Sequence, residues 1–377
     1  MGRVIMSGVA PLLTAPHGVS VYGVEWDWTT ESSGAQKGIR TDDAAAFGEP
    51  KPALNNGGGS SPFDNLYPWC DMVVENRAGG VEVKEPKYWF KWTKNGKKLK
   101  IQIADGPAAG FSVDPVNRDR GDGKGELDFS YIGRYHCGSD YKSTTGVAPL
   151  SNITKSEART GIRNLGSNFY QIDFAQFWYI SMLFLVEFAV WNDAVIGRGG
   201  GKVPQLFNNG FTDSMGYHTG TTEESRTDYF GVTQYRNIEG WWNAVFDFLD
   251  GCYLNDQNLY IINNPNNFSD ASKGALVGKP VSGYPLVFTI PMATGLEWAL
   301  FPSEECDWSI LPPKYPVPNW WGSFAARDNT LIHGSDLNDD GYQTQGAFCI
   351  ASTDAEGSSN VGCRLQERPP KTAGGNR

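Results

Sequence analysis

The sequence predicts an α+β fold, with strands towards both ends of the chain and helices between them. Three observations lead there. Alternating apolar and polar residues flank an Asn-Gly pair in YWFKWTKNGKKLKIQI (88–103). Two helix signatures follow, at 154–166 and 174–191. Beyond residue 251 short apolar runs alternate with long loops rich in Gly, Pro and Asn, a spacing that suits strands better than further helices.

Taken in order, residues 1–78 are rich in Gly, Ser, Asp and Pro with short aromatic patches such as VYGVEWDW, and read as a small β-rich module. NNGGGSSP (55–62) reads as a flexible loop. Asn95-Gly96 suits a type I′ hairpin turn, because both central residues of that turn need positive φ. ELDFSYIGRYH (126–136) reads as another strand. In TKSEARTGIRNLG (154–166), Thr154 and Glu157 make a capping box and Gly166 a stop. FAQFWYISMLFLVEFAVW (174–191) is apolar nearly all round. A membrane span needs about 20 apolar residues, and Gln176, Ser181 and Glu187 interrupt this one, so a buried core helix is expected. In YRNIEGWWNAVFDFLDG (235–251), Trp241, Trp242, Val245 and Phe246 are expected in the core. LYIINNP, YPLVFTIP, GAFCIA and GCRL supply the later strands.

Composition excludes several functions. A length of 377 residues with 40% hydrophobic and 13% aromatic residues supports a large core and argues against a disordered chain. The net charge of -10 disfavours nucleic-acid binding, which needs a basic surface. The six cysteines form no CxxC or CxxH pair, so a zinc knuckle is not expected. Their wide scatter fits reduced thiols made in a cytoplasm, with one or two disulfides left open. MGRVIMSGVAPLL does not read as a secretory signal.

Catalytic motifs are weak. IGRGGGKV (196–203) misplaces the first Gly of a P-loop and has Val after the Lys. There is no GxSxG and no HExxH. His17, His136, His218 and His333 lie far apart, each expected at the surface or satisfied in the core. Arg120-Gly121-Asp122 spells an adhesion tripeptide but reads as a turn, and Trp191-Asn192-Asp193 is a chance match to a lectin calcium triplet. Asp336, Asn338 and Asp340, with Gly341, match the start of an EF-type calcium loop, D-x-N-x-D-G. Position twelve should be a bidentate carboxylate and is Ala347, so calcium is at most a weak candidate and no other cofactor is expected.

Five segments in order resemble the C-type lectin fold of formylglycine-generating-enzyme-like proteins: YIGRYHC, TKSEARTGIRNLG, the apolar helix with Glu187, YRNIEGWWNAVFDFLDG and the closing GCRL. GSSPFDNLYPW, GFSVDP, DRGDGKGE, GSNFYQIDFA and TQYRNIEGWW resemble a phage and prophage subfamily of that fold. Many of its members are variable proteins of diversity-generating retroelements, similar in role to the phage major tropism determinant. The resemblance implies a lectin-fold domain over 79–365, a variable region at about 334–360, a preceding 1–78 attachment or oligomerisation module and a disordered tail over 366–377. It implies that GAFCIA and GCRL are framework strands. It also implies a ligand face built from Ser335, Asp336, Asn338, Asp339, Asp340, Tyr342, Ser352, Asp354, Ser358 and Ser359, with Tyr342 the anchor. The partners it implies are a host-cell surface receptor, phage tail proteins and further copies of the chain, as a trimer. The location it implies is the virion tail, with no membrane insertion and no enzymatic activity. The stretch 306–334 is Pro- and Trp-rich and departs from the family pattern. Two other readings are a structural tail or baseplate protein without a receptor, and an oxidase of the formylglycine-generating type. The oxidase uses a closely spaced cysteine pair, whereas Cys349 and Cys363 stand 14 residues apart.

Overall fold

The computed structural model describes residues 18–27, 37–191, 195–197, 208–222, 231–269, 274–281, 285–305, 320–322, 330–334, 348–351, 359 and 361–371. It is a strand-rich α+β structure with several sheets and two α-helices among these residues. The first sheet is antiparallel, in the order Ile39–Asp42, Val21–Asp27, Lys98–Ala104, Trp89–Asn95, Ser112–Val113. The second is antiparallel as well: Phe169–Gln171, Leu365–Glu367, Phe129–Gly133, Gly80–Pro86, Val74–Arg77. A third, mixed sheet runs Trp320–Gly322, Phe348–Ala351, Thr330–His333, Phe246–Phe248, Val361–Gly362.

The expected hairpin forms, but its turn is shifted by one residue. Asn95 pairs with Lys98, so Gly96 and Lys97 are the central pair. Gly96 takes a φ of 58° at the first of these positions. Asn95 already belongs to the ladder, and positive φ at the first central residue is what a Gly-X turn of type II′ needs.

Helix α1 (Lys155–Arg163) opens on the expected capping box. The Thr154 side chain accepts from the Glu157 amide, and Glu157 accepts from the Thr154 amide. Helix α2 (Phe174–Phe188) is capped by Asp173, whose carboxylate accepts from the Gln176 amide, and it ends at Ala189 in the left-handed conformation. Every one of its residues is buried, which explains why its sequence shows no polar stripe. Among the described residues no helix is long and apolar enough to cross a membrane. One side of α2 packs on Val21–Asp27 and Lys98–Ala104. Elsewhere on it Phe184 meets the Trp242 ring at 4.8 Å and Phe177 meets the His333 ring at 5.1 Å. Trp241, Trp242 and Val245 are buried as expected, and Phe246 is partly buried.

Two expected boundaries need correction. Residues 1–78 do not separate from the rest as a small module where they are described. Val21–Asp27 pairs along its whole length with Lys98–Ala104, and Val74–Arg77 pairs with Gly80–Pro86 across the 78/79 boundary. Tyr22, Val24 and Trp26 belong to the same hydrophobic core as α2. A sheet edge is satisfied by pairing, and short irregular strands gain little burial alone, so they join the larger core. Nor does the ordered chain stop at 365. Gln366 and Glu367 continue the closing strand, and Arg368 is buried, donating to Asp122 Oδ2 at 2.8 Å and to the Val116 carbonyl. The loop 55–62 has no buried residue, and its Ser60 exchanges backbone hydrogen bonds with Lys51.

Candidate functional site

The third sheet carries the segments expected to meet a ligand. Thr330–His333 and Phe348–Ala351 are antiparallel neighbours, with His333 opposite Phe348 and Thr330 opposite Ala351. Residues 334–347 connect the His333 and Phe348 ends. The chain next leaves the sheet at Ala351 and returns as Val361–Gly362, beside Phe246–Phe248, with Val361 opposite Phe246. Asp247 lies opposite both His333 and Gly362. The described strands therefore set the ends of both polar segments in one sheet. Ser335, Asp336, Asn338, Asp339, Asp340, Tyr342, Ser352, Asp354 and Ser358 lie outside the described residues, as does the calcium-like DLNDDG. Ser359 is described and exposed, in a turn.

Beneath this sheet is a buried polar network. Asp247 Oδ1 lies 3.0 Å from His136 Nδ1, and Arg364 Nε donates to Asp247 Oδ2 at 3.1 Å. Arg364 also donates to the carbonyls of Gly133, Arg134 and Glu239 at 3.0, 2.9 and 2.8 Å, and its Nη2 lies 3.2 Å from His136 Nε2. Both ring nitrogens of His136 are thus engaged, Nδ1 with Asp247 and Nε2 with Arg364. Burial works to raise the Asp247 carboxyl, but His136 and Arg364 outweigh it and hold the group below its ordinary range. The Arg364 of GCRL thus joins the second sheet, the aromatic block and the third sheet. His333 is the sheet partner of Asp247, and its ring lies 4.5 Å from that of Trp241. Burial pushes its imidazole down to about 3, and the Arg364 charge adds to that while Asp247 opposes it.

A second network anchors the end of α2. Arg236 pairs with Glu187 through Nη2 and, at 3.1 Å, through Nε, and Tyr235 donates to the same carboxylate at 2.9 Å. Arg236 Nη1 also lies 3.1 Å from Asp64, which accepts from Tyr217 at 2.8 Å. His218 sits between Thr219 Oγ1 and Asp64 at 2.8 and 2.9 Å. Burial, aided by Arg236, pushes its imidazole down to about 4, so at neutral pH it bridges as an uncharged ring. The pairing with Arg236 and Tyr235 accounts for Glu187, the one acidic residue late in an apolar helix.

The RGD tripeptide is consumed internally. Arg120 is buried, its Nη2 2.6 Å from Asp173, and Asp122 holds Arg368. A cleft of about 270 Å³ is lined by Ile262, Asn263, Asn264, Asn267, Thr294 and Leu296 with three neighbours. It offers amide hydrogen bonds but no ionisable group, so it cannot carry acid–base chemistry. Among the described residues no group of three or more His, Cys, Asp or Glu side chains could hold a metal ion. Sequence reading missed the His136–Asp247–Arg364 network because its members stand more than 100 positions apart. The only signal was the Arg within GCRL. The chain matches no protein-family model, and no curated protein matches it.

Proposed function

We propose that this chain is a receptor-binding protein of a phage or prophage tail, with a C-type lectin fold of the formylglycine-generating-enzyme-like type. Its polar segments within 334–360 form a ligand face diversified by a retroelement. The observation that supports this best is the separation of framework from displayed segment. Strands Thr330–His333, Phe348–Ala351 and Val361–Gly362 sit in one sheet, and the charges beneath that sheet are neutralised inside the protein by Asp247, His136 and Arg364. These framework contacts are made between described residues outside the connecting segments, and in this reading the segments vary while the framework stays. Their content of Asp, Asn, Ser and Tyr suits adaptable polar recognition around an aromatic anchor, Tyr342.

In this reading the protein does no chemistry. It binds a protein or glycan on the host surface, and several copies, as a trimer attached through the N-terminal end, add avidity. The oxidase alternative draws no support from the cysteines described. Cys363 is wholly buried against Cys137, and burial holds thiols in the unreactive protonated form. Exchange of residues 334–360 between two chains that share this framework tests the proposal.

A further inference from the structure

Cys137 ends the YIGRYHC stretch, and Cys363 lies between Val361–Gly362 and the closing strand. The Cys137 amide donates to the Cys363 carbonyl at 2.8 Å. Both residues have no exposed surface, and both belong to a small core cluster with Ala158, Ile162, Phe169 and Leu365. Their thiols hydrogen-bond one another. The strands that lead to them, Phe129–Gly133 and Leu365–Glu367, are antiparallel. Cys137 lies beyond the paired part of those strands, so the single backbone hydrogen bond and the shared core cluster are what bring the two side chains together, and a disulfide requires Cα atoms about 4.4–6.8 Å apart. The Cys252 thiol faces the Leu249 carbonyl, and Cys70 is exposed in the middle of the short 3-10 helix Trp69–Asp71.

We propose that Cys137 and Cys363 are the two halves of a disulfide that staples the closing strand to the second sheet when the protein meets an oxidising medium. The reaction is exchange with a small-molecule disulfide. One cysteine thiolate attacks a sulfur of that disulfide and expels a thiolate. The second cysteine thiolate then attacks the mixed disulfide and expels the other. The cysteine pair is oxidised by two electrons, the small disulfide is reduced to two thiols, and protons are conserved. The bond would close a loop of more than 200 residues, and the stabilising effect of a crosslink grows with loop length. It would also hold the chain immediately after the displayed segment, whatever residues that segment carries. The hydrogen bond from Cys137, and burial after it, push the Cys363 thiol well above its ordinary value. Exchange in the folded protein is therefore slow, and the bond forms while the chain folds or opens.

The test is refolding of the full chain from urea in a mixture of reduced and oxidised glutathione, followed by alkylation and digestion without reductant. The expected result is a linked peptide pair joining Cys137 to Cys363, and a urea midpoint that drops when reductant is added. In Cys137→Ala the midpoint should no longer respond to reductant. Mapping of the unaltered chain needs no variant to fold. Recovery of both cysteines as separate alkylated peptides, or linkage of either to a different cysteine, would overturn the proposal. So would a correct linkage that leaves the midpoint unchanged.

Discussion

Single side chains decide how the framework under the third sheet holds together. Asp247 is the only carboxylate hydrogen-bonded to Arg364 among the described residues, and the guanidinium is wholly buried. Asp247→Asn keeps the shape and removes the charge, leaving a buried cation without its counter-ion, which typically costs about 3–5 kcal/mol. Urea unfolding should register a loss of this size, and a loss below about 1 kcal/mol would mean that Arg364 finds another partner. His333 makes the framework sensitive to acid. Its folded value of about 3 lies below the ordinary 6.5, so as pH falls below 6.5 the unfolded chain takes up the proton first. Stability is then lost between pH 6.5 and about 3, by up to about 1.4 kcal/mol per pH unit. His218, with a value near 4, acts in the same direction. In His333→Phe, which keeps a ring beside Trp241 and Phe177, the loss between pH 6.5 and 5 should be smaller by about 2 kcal/mol. An unchanged pH slope would remove His333 from this role. None of this could be read from four scattered histidines, because burial and partners come from contacts between distant segments.

Secondary elements were more legible, where the signal was local. The capping box at Thr154 and Glu157 is a contact between residues three apart, and it forms as expected. The buried character of α2 followed from an apolar run too short for a membrane, and all of it is buried. Misreadings arose where pairing decides. The hairpin turn moved by one residue because the register extends to Asn95 and Lys98, and α2 stopped at Phe188 because Ala189 turns left-handed. The aromatic block was expected in the core, and Trp242 shows why: its ring meets Phe184 of α2 at 4.8 Å and Tyr235 at 5.7 Å. Trp242→Ala should cost about 3–5 kcal/mol, since removing a buried ring leaves a cavity that the surrounding helix and strands cannot fill. A denaturation midpoint close to that of the unaltered chain would show that this junction between α2 and the block is not a main support.

At the scale of the whole molecule, the α+β class was visible from the order of elements, but the division of the chain was not. Val21–Asp27 looked like part of a small separate module, yet it completes a sheet with Lys98–Ala104 and shares the core of α2. Burial of apolar surface is indifferent to sequence distance, and composition alone cannot show which strands will pair. Similarly, RPPKTAGGNR looked like a free tail, but its first residue, Arg368, is locked to Asp122. The proposed ligand residues from Ser335 to Ser358 rest on resemblance and on the strands at their borders. The proposal that shape recognition lives in 334–360, and stability elsewhere, is tested most directly by grafting that segment from a second chain with the same framework and a different host. If the reading holds, the graft folds with an unchanged unfolding midpoint and attachment follows the donor of residues 334–360. Attachment that stays with the recipient framework would contradict it.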